Sequence, residues 1–188
     1  LNNGLASMQG ASAILLGAIL GGMMSVDMGG PINKVAYVFG TGTLTAATMT
    51  SGGTFSMAAV MAGGMVPPIA IALASTLFKD KFTAQEREAG LTNYIMGFSF
   101  ITEGAIPYAA ADPTRVIPAS IVGSAVAGAL IGLFRVKIPA PHGGILVMGL
   151  SKTANGGNGF FLYLFAVVVG AIISAILLGL LKKKVDEK

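Results

Sequence analysis

Two side chains of this 188-residue sequence stand where polar chemistry is hardest to place, Glu103 and His142. Glu103 is the only acidic residue between Glu88 and Asp112, inside the apolar run GFSFITEGAIPYAA, Gly97 to Ala110. A carboxyl at membrane depth costs several kcal/mol, so one that persists there usually lines a substrate or ion path. Gly104 and Pro107 follow it and break the helix where the charge sits. Broken backbone is tolerated at that depth only against protein or a water-filled cavity. The structural alternative is a carboxyl held by backbone amides or paired with Arg115. His142, the single histidine, lies in PAPHGG, Pro139 to Gly144. The helix breakers around it make its ring emerge from irregular backbone, where it either serves a site or is simply hydrogen-bonded in place.

Two further carboxylates read as structural. In VDMGGPINK, Val26 to Lys34, Asp27 is placed to accept from the backbone of Gly29 or Gly30 and to pair with Lys34 at an interface, rather than to touch substrate. Asp112 before Pro113 has the pattern of a helix N-cap with proline at N1. With no cysteine and one histidine, the sequence offers no disulfide, no thiolate nucleophile and no recognisable metal site. No cofactor is implied.

The elements that must position these groups are membranous. Hydrophobic residues make up 54% of the chain and charged ones 11%, far from the quarter or so of a soluble domain. Phe160 to Leu181 is uncharged for twenty-two residues and ends at Lys182, Lys183 and Lys184, long enough to cross about 30 Å of hydrocarbon. Similar spans are expected near 5–24, 56–78 and 116–134. The fold class is therefore an all-α polytopic membrane protein, with broken helices and two re-entrant hairpins near 35–55 and 91–112. The first hairpin is expected because eight of the sixteen residues from Thr41 to Ser56 are Thr or Ser, which leaves no apolar face for lipid. Lys79 to Glu88, KDKFTAQERE, reads as an aqueous loop.

Charge placement supports that topology. With both hairpins re-entrant, Lys79, Lys81, Arg87, Arg115 and the four tail lysines share one face, eight of twelve basic residues. Lys34, Arg135, Lys137 and Lys152 then face the other way. The excess marks the first face as cytoplasmic. The net charge of +4 carries no basic stripe with interleaved aromatics, so nucleic acid is not an expected partner. The glycines at 17 and 21 and at 128 and 132, with Ser174 four after Gly170, are spaced for close helix packing. Leu1 follows no initiator Met or basic leader, and the sequence reads as a piece of a longer polypeptide.

VDMGGPINK, MVPP at Met65 to Pro68, GFSFITEGAIPYAAADPTRVIP and APHGG together resemble the membrane (enzyme IIC) component of the bacterial fructose-type phosphoenolpyruvate-dependent sugar phosphotransferase system. The likeness runs over nearly the whole chain and corresponds to the C-terminal part of such a component. It implies a multi-pass protein of the bacterial inner membrane, dimeric, in which hairpins and broken helices enclose a sugar. Fructose is the default substrate, and mannosylglycerate is handled by close relatives within the family. The phosphoryl group arrives on a phosphocysteine of a partner IIB domain, itself served by IIA and HPr. By position, Glu103 matches the family's membrane carboxylate, a ligand of sugar hydroxyls and a candidate base. His142 matches the histidine of APHGG and would donate to the sugar. Asn33, Gly42, Thr43 and Thr45 are the implied pocket wall.

Two other classes share the same features. An ion-coupled secondary transporter also needs a membrane carboxylate and broken helices. A non-catalytic half of a split permease would bind no sugar until joined by its other half.

Overall fold

The computed structural model describes residues 12–185. Residues 5–11 of the expected first span, and Lys188, lie outside the described residues. All regular structure among those described is helical: α1 (Ala13–Val26), α2 (Pro31–Gly42), α3 (Ala46–Thr50), α4 (Phe55–Leu77), α5 (Ala84–Phe98), α6 (Ile106–Ala111), α7 (Pro113–Phe134), α8 (Ile145–Met148) and α9 (Phe160–Leu181). Three helices, α4, α7 and α9, are long and apolar enough to cross a membrane.

α4 is the axis of the fold, almost wholly buried and packed against α1, α5, α7 and α9. Its sequence permits this because small residues and methionines fill it; Met57, Met61 and Met65 are all inaccessible to solvent. Pro67 and Pro68 lie inside it without ending it. A proline cannot donate to the carbonyl four residues back, so these two release the carbonyls of Gly63 and Gly64. Both are taken by hydroxyls from other elements: Ser124 Oγ of α7 donates to Gly63 O (2.8 Å) and Thr102 Oγ1 to Gly64 O (2.8 Å).

The small-residue spacings serve close packing. A Cβ at Gly17 would collide with the Gly128 carbonyl, one at Gly21 with the Ser124 carbonyl and one at Gly132 with that of Ala13. α1 and α7 thus meet backbone to backbone. Gly123 and Gly170 do the same for α7 and α9, with Ser174 alongside.

The polar strand of chain at 79–88 is not one aqueous loop. Lys79–Lys81 forms a 3-10 turn, and α5 begins at Ala84 behind a reciprocal cap. Thr83 Oγ1 accepts from Glu86 N, and Glu86 Oε2 accepts from Thr83 N. The spacing T-x-x-E carries that signal in the sequence. Phe82 is buried beneath it, with Lys182 Nζ 4.6 Å from its ring centroid. The tail is tied to the same region: Lys81 Nζ donates to Lys182 O, Val185 N donates to Asp80 O, and Lys184 pairs with Asp80. The opposite end is closed by paired backbone bonds between Thr54 and Ile138 and between Lys137 and Lys152.

From the tail end, α5 descends along α4, with Gly90 against Ser75 and Gly97 against Ile69. The chain turns over residues 98–105, where Thr102 is fixed at Gly64. It returns through α6 until Tyr108 Oη donates to Glu86 O (2.7 Å). Residues 84–111 therefore enter and leave at the same end of α4. The 35–55 region consists of the last two turns of α2, the five-residue α3 and a connection into α4.

Candidate functional site

Two turns meet at the level of the middle of α4, and each is held by its own chemistry. The first joins α1 to α2. Asp27 accepts from Ile32 N (2.7 Å) and Asn33 N (2.9 Å), so its carboxylate caps α2, with Pro31 at the helix start. The expected acceptor role holds for Gly30, whose N–H donates to the Asp27 carbonyl (3.2 Å), while the carboxylate accepts from Ile32 and Asn33. Among the described residues no ion pair joins Asp27 to Lys34, because both carboxylate oxygens already accept from the helix start. Gly29 has a φ of 119°, a conformation that side-chain-bearing residues rarely adopt. A Cβ there would lie 3.3 Å from Glu103 Oε1, so the glycine lets the carboxylate settle against the backbone.

The second turn carries Glu103. Thr102–Ala105 is a single 3-10 turn, with Pro107 starting α6. Phe100 sits in the left-handed region at φ 64°, and Met28 in the facing turn at φ 45°. Such conformations cost on the order of 1–3 kcal/mol in non-glycine residues and concentrate at functional sites. Thr102, bonded to the carbonyl that Pro68 releases, fixes the residue next to Glu103. Glu103 itself is exposed, and no hydrogen bond or ion pair to it occurs among the described residues.

The structural alternative of an Arg115 partner is not realised. Arg115 pairs with Asp112, its Nη1 lying 3.0 Å from both carboxylate oxygens. Asp112 occupies the N-cap position of α7, yet its side chain makes no cap hydrogen bond. The guanidinium one turn on outcompetes the backbone amides for the carboxylate, which corrects the expectation of a side-chain cap.

The loop 139–144 closes the site. Gly144, at φ 54°, packs so closely on the 98–100 turn that a Cβ would strike the Phe98 carbonyl. This brings the His142 ring to 5.0 Å from that of Phe100, which lies 6.3 Å from Tyr37. The result is a cavity of about 340 Å³ lined by Gly29, Asn33, Lys34, Tyr37, Phe100, Glu103 and His142, among others. That volume is within the range of small-molecule sites, about 300–1,000 Å³. Glu103 also borders a second cavity of about 580 Å³, shared with Glu86, Thr92 and Asn93.

Three anticipated residues therefore converge: Glu103, His142 and Asn33. Asn33 is nearly buried and commits its Nδ2 to Met24 O (2.8 Å), which leaves its Oδ1 for a ligand. Gly42, Thr43 and Thr45 do not line either cavity. Thr43 Oγ1 bonds Gly40 O and Thr54 Oγ1, and Thr45 makes a capping box with Thr48, so these hydroxyls build the turn before α4. Lys34, grouped by charge with Arg135, Lys137 and Lys152 on the face opposite the tail, also borders the cavity. Tyr37, Phe100 and Thr102 were not anticipated. The available signals were the three-residue spacing of Lys34 and Tyr37 on one helix and the double proline that frees a carbonyl for Thr102.

Over its whole length the chain is homologous to fructose-specific membrane components. It is 54% identical over 188 residues to the "PTS system fructose-specific EIIABC component" of Bacillus subtilis, covering 100% of this chain and 28% of that protein. It is 53% identical over 188 residues to the "Fructose permease IIC component" of Bacillus amyloliquefaciens, covering 100% and 58%. The "PTS system fructose-specific EIIC component" of Haloferax volcanii is 50% identical over 185 residues, 98% of this chain and 46% of that one. The chain thus spans between about a quarter and three fifths of these relatives. No family model matches the chain, and neither does any solved structure.

Proposed function

We propose that this chain forms the sugar-holding part of a phosphotransferase-system permease, taking fructose or a related sugar. The observation that carries the reading is Glu103, a carboxylate with no protein partner among the described residues, in a cavity shared with His142 and Asn33. Its strained, glycine-relieved surroundings hold it ready for a neutral polyol. The carboxylate accepts from sugar hydroxyls, His142 offers a ring nitrogen, and Asn33 Oδ1 accepts from a further hydroxyl. Phe100 and Tyr37 give the apolar ring faces against which sugar C–H groups pack.

In this reading the phosphoryl donor is a phosphocysteine of a IIB domain, as the family resemblance implies; the sequence itself has no cysteine. Relatives whose names join B and C components support that partner. The sugar hydroxyl attacks phosphorus, the sulfur–phosphorus bond breaks with thiolate as leaving group, and the hydroxyl proton passes to Glu103. In this reading the 84–111 hairpin is re-entrant from the cytoplasm, where IIB waits, and IIA and HPr supply it upstream. The exposed apolar residues of α9, such as Phe161, Phe165 and Leu180, suit lipid or a second subunit of an inner-membrane dimer.

The test uses proteoliposomes of the complete permease that contains this chain. Sugar phosphate should form inside only when phosphorylated IIB is supplied. Uptake that follows a proton or sodium gradient without that donor would replace the proposal with an ion-coupled transporter. Binding that appears only on co-expression of separate halves would favour a split permease.

A further inference from the structure

The phosphotransferase reading leaves one charge unexplained. Lys34 lies on α2 just past the turn that touches Glu103, beside a cavity level with the middle of α4. Its side chain is exposed and lines that cavity. Among the described residues Lys34 makes no ion pair, and the carboxylate placed nearest in sequence, Asp27, is consumed by the amides of Ile32 and Asn33. Lys34 is also the only lysine or arginine among the described residues that lines the cavity of Glu103 and His142. The larger cavity has no lysine or arginine in its lining and adds a second carboxylate, Glu86.

Resting on the permease reading, we propose that Lys34 is the cation that receives the phosphoryl group at the sugar. A transferring phosphoryl group brings negative charge into a site that already holds the Glu103 carboxylate. Two anions at close range repel, and the charge on the equatorial oxygens is best met by a nearby cation. Phosphoryl-transfer sites meet it with lysine, arginine or a metal ion. Lys34 is placed to supply that charge. Its flexible four-carbon stem lets the ammonium follow phosphorus from the thiolate to the sugar oxygen. The bonds exchanged are those already given: sulfur–phosphorus breaks, oxygen–phosphorus forms, and the proton moves to Glu103. Lys34 takes no proton; it binds the group being moved and the sugar phosphate that results. The small cavity is then the site of transfer.

The experiment compares fructose with fructose 1-phosphate on the complete permease in detergent, with phosphotransfer measured in proteoliposomes. Lys34→Met should hold fructose within about twofold of the parent. It should weaken fructose 1-phosphate by about tenfold to a hundredfold, the worth of one charge-assisted hydrogen bond. It should also slow transfer by about a hundredfold. Lys34→Arg should restore most of the sugar-phosphate affinity, and it carries the comparison if the Met variant fails to insert. Equal weakening of both ligands, or normal transfer by Lys34→Met, overturns the assignment to Lys34 while leaving the permease intact. A parent protein that binds no fructose overturns the permease reading itself.

Discussion

The seam between α1 and α7 and the meeting of the two turns at Glu103 lie in the same molecule but obey opposite rules. Along the seam, Gly17, Gly21, Gly128 and Gly132 let the backbones meet, Ser25 Oγ bonds Ser124 Oγ, and Ser124 Oγ donates to the buried Gly63 carbonyl. At the turns, Phe100 and Met28 hold left-handed conformations, and both Glu103 and Lys34 are left without an ion pair among the described residues. The seam minimises its own energy. The turns leave polar side chains without protein partners, as the proposed sugar site requires.

The contrast predicts that seam and site fail differently. Gly128→Leu has the largest expected effect: a side chain driven into the Gly17 carbonyl forces α1 off α7 at a cost of about 3 kcal/mol or more. Thermal unfolding in detergent should show a large loss of stability, or no monodisperse protein. Parental stability would mean that the seam is looser than its geometry.

Glu103→Gln should do the reverse, leaving unfolding unchanged because no protein partner is lost. Sugar affinity should fall about tenfold to a hundredfold, and phosphotransfer by a further factor of about 100 as the base disappears. A destabilised but active Glu103→Gln protein would place the residue with the structural group.

Asp112→Asn is expected to have the smallest effect, since it removes only a partly exposed pair with Arg115, about 0–1 kcal/mol. Fructose binding and transfer should stay near the parent. If this variant is inactive while Glu103→Gln phosphorylates sugar normally, the two carboxylates have been assigned the wrong way round.

Much of the fold is legible without coordinates because its signals are local. Three spans declare themselves by uncharged length, with Lys182 marking the end of one. The break at Glu103 follows from Gly104 and Pro107, and the close packing of α1 and α7 from glycines four apart. What escapes depends on residues that are distant in sequence. Phe82 looks solvated among lysines and glutamates, yet the chain folds over it. Asp112 has the pattern of a cap, but a guanidinium one turn away is the stronger partner. The threonines at 43 and 45 have the composition of a polar pocket, and local backbone carbonyls and a neighbouring threonine absorb their hydroxyls first. Lys34 shares a cavity with Glu103 through the placement of α2, which no count of charges along the chain can reveal.

The adjacent prolines of α4 have a geometric consequence. Successive residues of an α-helix are displaced by about 100° around its axis and 1.5 Å along it. The two released carbonyls, Gly63 and Gly64, therefore present their acceptors in directions about 100° apart at nearly the same height. One is claimed by α7 and the other by the turn that carries Glu103. A single step of the chain thus works as a protractor, setting the bearing of the Glu103 turn relative to the bundle around a common shaft.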